Sequence, residues 1–225
     1  MSFWSDEVLT SWMKGAPEAS LLEEWLSWNI SPLQHASKAT LSSLFPISLQ
    51  PLFLSDDRVK AYINRKLRAR LLWSSTVTWT PEDRLWEIAM IAPERFEKLA
   101  LLGASFSMKS EIAKLIDGTT VRKLRSRLGD DAFQFVLLGA GGEKYFLESL
   151  HHAFLNSSDI TEAIVEGARI LVEQAFSSKE RGTQERIATK FPGCFAQGYQ
   201  DAPLPWSLKA EEVIYQLWKE VGAWL

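Results

Sequence analysis

The segment LIDGTTVRKLRSRLGDD, Leu115 to Asp131, sets basic residues between two glycine turns. Helical spacing gathers Val121, Leu124 and Leu128 into a narrow apolar stripe. Arg122, Lys123 and Arg127 then point away from it, with Arg125 at its flank. Cations aligned in this way can lie along phosphates. They can also meet an acidic protein surface, where charge sets association rate and specificity, or simply form the wet side of a helix whose leucines face inward. The preceding MKSEIAKLI segment and the DGTT turn mimic a helix-turn-helix, so a DNA-binding regulator using residues 107–128 is one reading. Base readout needs Asn, Gln or Arg near the start of the recognition helix. That start is Thr119, Thr120 and Val121 here, and the chain as a whole is acidic, with 25 basic against 28 acidic residues and a net charge of -3.

Other templates for chemistry fit less well. GAGGEKY at 139–145 lacks the spacing of a phosphate loop, because Gly142 is followed by Glu143 and Lys144 by Tyr145. Gly139, Gly141 and Gly142 also miss the dinucleotide-binding spacing, so a helix-ending loop is expected. His151 and His152 are neighbours and diverge by about 100° on a helix, which prevents them from sharing a metal. His35 is distant in sequence. Cys194, in FPGCF, has apolar neighbours and no nearby histidine, the setting of an inert thiol. The acidic pairs at 23–24, 56–57 and 130–131 sit at helix starts, where the macrodipole accounts for them. No nucleophile, base and orienting group converge in the sequence. A non-enzymatic protein is expected, with no catalytic residue, no cofactor and no metal.

The elements that carry these residues read as helices. Pro17 opens PEASLLEEWLSW, and Ser37 caps a short helix within a proline-rich bend at Pro32, Pro46 and Pro51. Val59, Ile63, Leu67 and Leu71 repeat every four residues in a helix from Ser55 or Asp56. Thr80 and Pro81 are the expected start of TPEDRLWEIAMI. Pro93 begins a helix that Gly103 stops. Ser107 caps a helix ended by Gly118, Thr119 caps the next, ended by Gly129, and Asp130 caps a third that stops at GAGG. EKYFLESLHHAFL follows, and then DITEAIVEGARILVEQAF with Asp159 and Glu162 spaced as a capping box. SSKERGTQ reads as a polar loop, and FPGCFAQGYQDAPLPW as irregular chain. From Ser207 a last helix places Val213, Ile214, Leu217, Trp218, Val221 and Trp224 on one face. Only TVTWT at 76–80 alternates like a strand. The expectation is an all-α fold, a compact multi-helix domain of short helices joined by Gly and Pro turns. Residues 1–50 are expected to dock as an N-terminal helical segment on a main domain of residues 51–225.

Ten tryptophans stand out in a composition that is otherwise ordinary, 46% hydrophobic and 24% charged. Tryptophan fills cores and also anchors protein interfaces. Trp4, Trp12, Trp25 and Trp28 are therefore candidates for a docking surface, with packing inside the domain as the alternative. Arg122, Lys123 and Arg127 form the other candidate surface. The opening MSFWSDEVLTSWMKG has no basic stretch followed by an apolar core, so no signal peptide is expected. No apolar run reaches the roughly 18 residues of a membrane span. A single cysteine fits a reducing compartment, and a cytoplasmic location is expected.

Three stretches resemble the SctK proteins of bacterial type III secretion systems, the group that includes YscK, PscK, MxiK and OrgA. WNISPLQHASKATL, Trp28 to Leu41, is similar to the family's N-terminal pattern, with Gln34 where an aromatic usually precedes the histidine. Ala92 to Leu137 is similar to the central block, a Leu-rich helix and short helices between two Leu-Gly steps. RIATKFPGCF, Arg186 to Phe195, is similar to a basic-Phe-Pro segment near the C-terminus. The resemblance covers about a third of the chain, in the family's order. It implies a non-enzymatic, mostly helical adaptor of the cytoplasmic sorting platform, linking the SctQ pod protein to the cytoplasmic domain of the inner-membrane ring protein SctD. It also implies a location peripheral to the inner membrane, with no insertion into it and no nucleic-acid partner.

Overall fold

A computed structural model describes residues 27–29, 31–49, 51, 55–70, 83–139, 142–150, 159–200 and 202–225. Every regular element among them is helical. In chain order these are α1 (Pro32–His35), α2 (Lys38–Leu44), a 3-10 turn at Ile47–Leu49, α3 (Asp57–Arg70), α4 (Trp86–Met90), α5 (Pro93–Ser107), α6 (Lys109–Ala113), α7 (Gly118–Leu128) and α8 (Asp130–Leu138). A second 3-10 turn, Gly142–Tyr145, is followed by α9 (Ile160–Phe176), α10 (Arg181–Lys190) and α11 (Ser207–Val221). The all-α expectation is met. The helix expected from Pro17 lies outside the described residues as far as residue 26, as do TVTWT, Thr80, Pro81, Leu71, His151 and His152.

Helices α5 and α9 form the centre, and α11 closes against both. Gly103 does not stop α5, which runs on to Ser107. Its role is close approach: a Cβ there would come within 2.5 Å of Leu171 Cδ2 on α9 and 3.2 Å of Leu217 Cδ1 on α11. The two central helices are therefore drawn together at a point where the sequence suggested a boundary. Leu99, Leu102, Leu171, Val172, Val213 and Leu217 fill the space around this crossing. Phe96 and Phe176 meet at the far end with ring centroids 5.9 Å apart.

Some caps are the expected ones and others are not. Ser37 caps α2 as expected, accepting from the Thr40 amide at 3.1 Å. Asp159 caps α9, accepting from Thr161 at 2.7 Å. At α7, however, Asp117 and not Thr119 is the cap. Its carboxylate accepts from the amides of Thr119 and Thr120, and Gly118 becomes the first helical residue instead of a terminator. Ser107 ends α5, and its hydroxyl accepts from the Leu147 amide at 3.1 Å. The helix after residue 83 begins at Trp86, with Asp83 accepting from Leu85 at 2.9 Å. Asp130 lies inside α8, whose cap is Gly129 at φ 90°.

The largest departure is α10. SSKERGTQ reads as a loop, yet Arg181–Lys190 is helical and buries Gln184, Glu185, Arg186, Thr189 and Lys190. This helix bonds to its surroundings chiefly through polar groups. The Gln184 amide donates to the carbonyls of Ser177, Lys179 and Gln200. Lys190 donates to the carbonyls of Ala89 and Ile91 at the end of α4. Arg186 donates to the Trp28 carbonyl at 3.1 Å, to Gly182 at 2.8 Å and to Asn29 Oδ1 at 3.1 Å. The Thr189 carbonyl accepts from the Ser37 amide and the Thr40 hydroxyl. Buried carbonyls are costly without donors, so α10 ties residues 28–29, 37–40, 89–91, 177–179 and 200 together.

A second, smaller apolar cluster joins Leu33 of α1 to Ile63 and Leu67 of α3, with Leu41, Leu44 and Phe45 against it. The Leu33 amide donates to Asn64 Oδ1 at 2.9 Å. Residues on both sides of position 50 thus share one cluster, whereas Trp28 belongs to the main core.

Candidate interaction surface

Helix α7 stands on α8 and α9 through Leu124 and Leu128, which are buried, and Val121, which is half-buried. Arg122, Lys123, Arg125, Ser126 and Arg127 are exposed. The three cations expected on an outward face are there. Their charge is partly committed, however. Arg127 reaches Glu97 of α5 at 3.5 Å, and Arg125 donates to Asp130 at 2.8 Å. Arg122 folds back to donate to the Gly118 carbonyl at 3.1 Å. Lys123 adds to the positive field that, after hydrogen bonding from Thr161, holds the Asp159 carboxyl below its usual range. Exposed pairs of this kind hold side chains in place and add little stability.

Two depressions meet at the Glu97–Arg127 pair. One, of about 770 Å³, lies along α7 with Thr119, Arg122, Lys123 and Ser126. The other, of about 380 Å³, continues toward the starts of α2 and α5 and is walled by Lys38, Glu94, Val165, Phe191 and Pro192. The surface is thus a shallow, mixed-charge trough with an apolar far wall. That suits a protein segment better than a nucleic-acid backbone. The start of α7 also carries Asp117, whose carboxyl is held low by hydrogen bonds from Thr120 and Thr119.

Trp28, expected on the other docking surface, has no exposed area. It packs edge-on against Trp86, ring centroids 5.0 Å apart, and the Arg186 guanidinium stands 5.7 Å from its ring. Trp28 is a core residue, and a surface that needs it exposed is not the one seen here. Trp4, Trp12 and Trp25 lie outside the described residues. The exposed tryptophans among the described residues are Trp206 and Trp224.

Among the described residues, Cys194 and His35 are both buried. Cys194 is buried, and burial pushes its thiol well above the ordinary range. His35 is buried beside α10, with Nε2 3.1 Å from the Ser27 hydroxyl and no hydrogen bond at Nδ1. Burial, and then the charges of Lys190 and Arg186, lower its pKa to about 3. Arg186 itself is lowered to about 10 by burial. Among the described residues no group of three or more His, Cys, Asp or Glu is arranged to hold a metal, and no helix is long and apolar enough to cross a membrane. No family model, curated protein or solved structure matches the chain.

Sequence reasoning found the α7 face but missed its partner Glu97, thirty residues earlier. It also read only the apolar side of α3. That helix, DRVKAYINRKLRAR, carries six basic residues against one acidic residue.

Proposed function

We propose that the chain is a non-enzymatic assembly adaptor of a bacterial type III secretion system, bridging an SctQ-like pod protein and the cytoplasmic domain of an SctD-like ring protein. The observation that carries this reading is the ordered resemblance to SctK proteins. Its central block, Ala92 to Leu137, coincides with the continuous run α5–α8, which presents Arg122, Lys123 and Arg127 outward. A bridge needs a stiff body and surfaces set apart on it. The tight α5–α9 crossing and the polar ties of α10 supply the stiffness. The α7 trough supplies one surface, whose exposed cations would govern encounter rate and partner choice.

The test is co-purification of the tagged full chain with each of the two candidate partners, for the native sequence and for Arg122→Glu with Arg127→Glu. Capture of at least one partner, weakened by the charge reversals at unchanged helicity, supports the adaptor. Capture of neither overturns it. Capture that the reversals leave unchanged removes the α7 face from the bridge.

A further inference from the structure

Among the described residues, helix α3 is held by a small cluster. Ile63 and Leu67 are buried against Leu33, and Asn64 accepts from the Leu33 amide. The opposite side is open. Arg58, Tyr62, Arg65, Lys66 and Ala69 are all exposed, at spacings that align them on one face. Arg65 and Lys66 each stand 5.6 Å from the Tyr62 ring, and Tyr62 is 51% exposed. The acids nearby are otherwise engaged: Asp57 pairs with Lys60 at 3.0 Å, and Asp56 accepts from the Arg58 and Val59 amides. Arg58, Arg65 and Lys66 make no ion pair among the described residues, unlike Arg125 and Arg127 of α7. This is a concentrated charge. Six of the chain's 25 basic residues lie in α3, and the rest of the protein has 19 basic against 27 acidic residues.

We propose that this outer face of α3 is a second docking surface and that it takes an acidic segment of a protein partner. Tyrosine flanked by arginines is the composition of interface anchors, with the ring as contact area and the guanidiniums as carboxylate forks. The acidity of the remaining protein selects between anionic partners. A membrane plane or a long duplex extends beyond a helix about 21 Å long and meets the repulsion of the surrounding acids. A short acidic segment stays within about one Debye length, roughly 8 Å, of the basic face and escapes it. The inference is independent of the secretion assignment, since it rests on α3 alone.

The experiment titrates the full chain into a labelled, Glu-rich helical peptide as long as α3. Parallel arms use vesicles of phosphatidylcholine with phosphatidylglycerol, and a random-sequence DNA duplex. The expected result is salt-sensitive peptide binding that falls at least about tenfold in Arg58→Glu/Arg65→Glu/Lys66→Glu and also falls in Tyr62→Ala, at unchanged helicity. The Arg122→Glu/Arg127→Glu protein should bind the peptide as the native chain does. No peptide binding, or binding lost through α7 and not α3, overturns the proposal. Vesicle or duplex binding that disappears with the α3 substitutions overturns the choice of a protein partner. Should the peptide bind while neither secretion protein is captured, the adaptor reading falls and this surface stands.

Discussion

Arg186 and Trp28, far apart in sequence, form one buried unit. The guanidinium donates from Nε to the Trp28 carbonyl at 3.1 Å, and its carbon lies 5.7 Å from the Trp28 ring. Arg186 is 1% exposed and Trp28 not exposed at all. Helix α10 thus seats the chain around residue 28 with a charged fork, and the indole fills the main core beside Trp86.

Replacing Arg186 by Ala should cost about 3 kcal/mol or more of unfolding free energy, read from denaturant midpoints. The Trp28 carbonyl and the Asn29 side chain would each lose a buried guanidinium donor, at about 1–3 kcal/mol per buried group. Arg186→Lys should recover only part, since an ammonium does not reproduce the planar fork. Equal stability of Arg186→Ala and the native chain would show that this contact contributes nothing to the fold.

His35 makes stability pH-dependent. Its pKa is about 3 in the fold against an ordinary 6.5, because burial and the charges of Lys190 and Arg186 oppose protonation. Between those values the unfolded chain binds the proton and the folded chain does not. Stability therefore rises with pH across this window and falls on acidification, by up to about 1.4 kcal/mol per pH unit for one proton. Between pH 5 and 6.5, above the ordinary carboxylate range, the slope should be visible in urea midpoints. His35→Gln should flatten it. An unchanged slope in that variant would assign the pH dependence to other groups.

The helical architecture was legible where burial is apolar and periodic. On the expected α11 face Val213, Ile214, Leu217 and Val221 are buried, Trp218 is half-buried and Trp224, beyond the helix end, is exposed; Leu124 and Leu128 hold α7 as expected. It was illegible where burial is polar. Helix α10 hides Gln184, Arg186 and Lys190, polar residues that meet partners from distant chain, and only its start reads in sequence, as part of a polar loop. Glycine was ambiguous for a related reason. Gly129 ends a helix at φ 90°, but Gly103 sits mid-helix because Leu171 needs its space, and only the tertiary packing separates the two uses. The α7 cations were visible in sequence. The pairing of Arg127 with Glu97 and of Arg125 with Asp130 depends on where α5 and α8 lie, and so was not.

Cys194 should resist thiol reagents in the folded protein and react fully in denaturant. The thiolate is the reacting form, and burial raises its pKa while Sγ lies 3.7 Å from the Arg169 carbonyl of α9. Labelling in native buffer then requires opening of the 191–200 turns, and its rate should rise with urea. Rapid labelling at native conditions would show these turns to be open far more often than their packing implies.

Gly103 gives the sharpest test of the core. Gly103→Ala puts a methyl group 2.5 Å from Leu171 Cδ2, the far end of a flexible side chain, and 3.2 Å from Leu217 Cδ1. Helix propensity favours Ala by about 1 kcal/mol, which offsets part of the cost of moving Leu171. Gly103→Val adds branches that neither leucine can clear, and overpacking of this kind costs about 1–3 kcal/mol. The expected order of thermal midpoints is native or Ala first and Val clearly last. Pairing Gly103→Val with Leu171→Ala should restore part of the loss by reopening the crossing. If the double variant is no more stable than the sum of its parts, α5 and α9 do not meet at this residue pair.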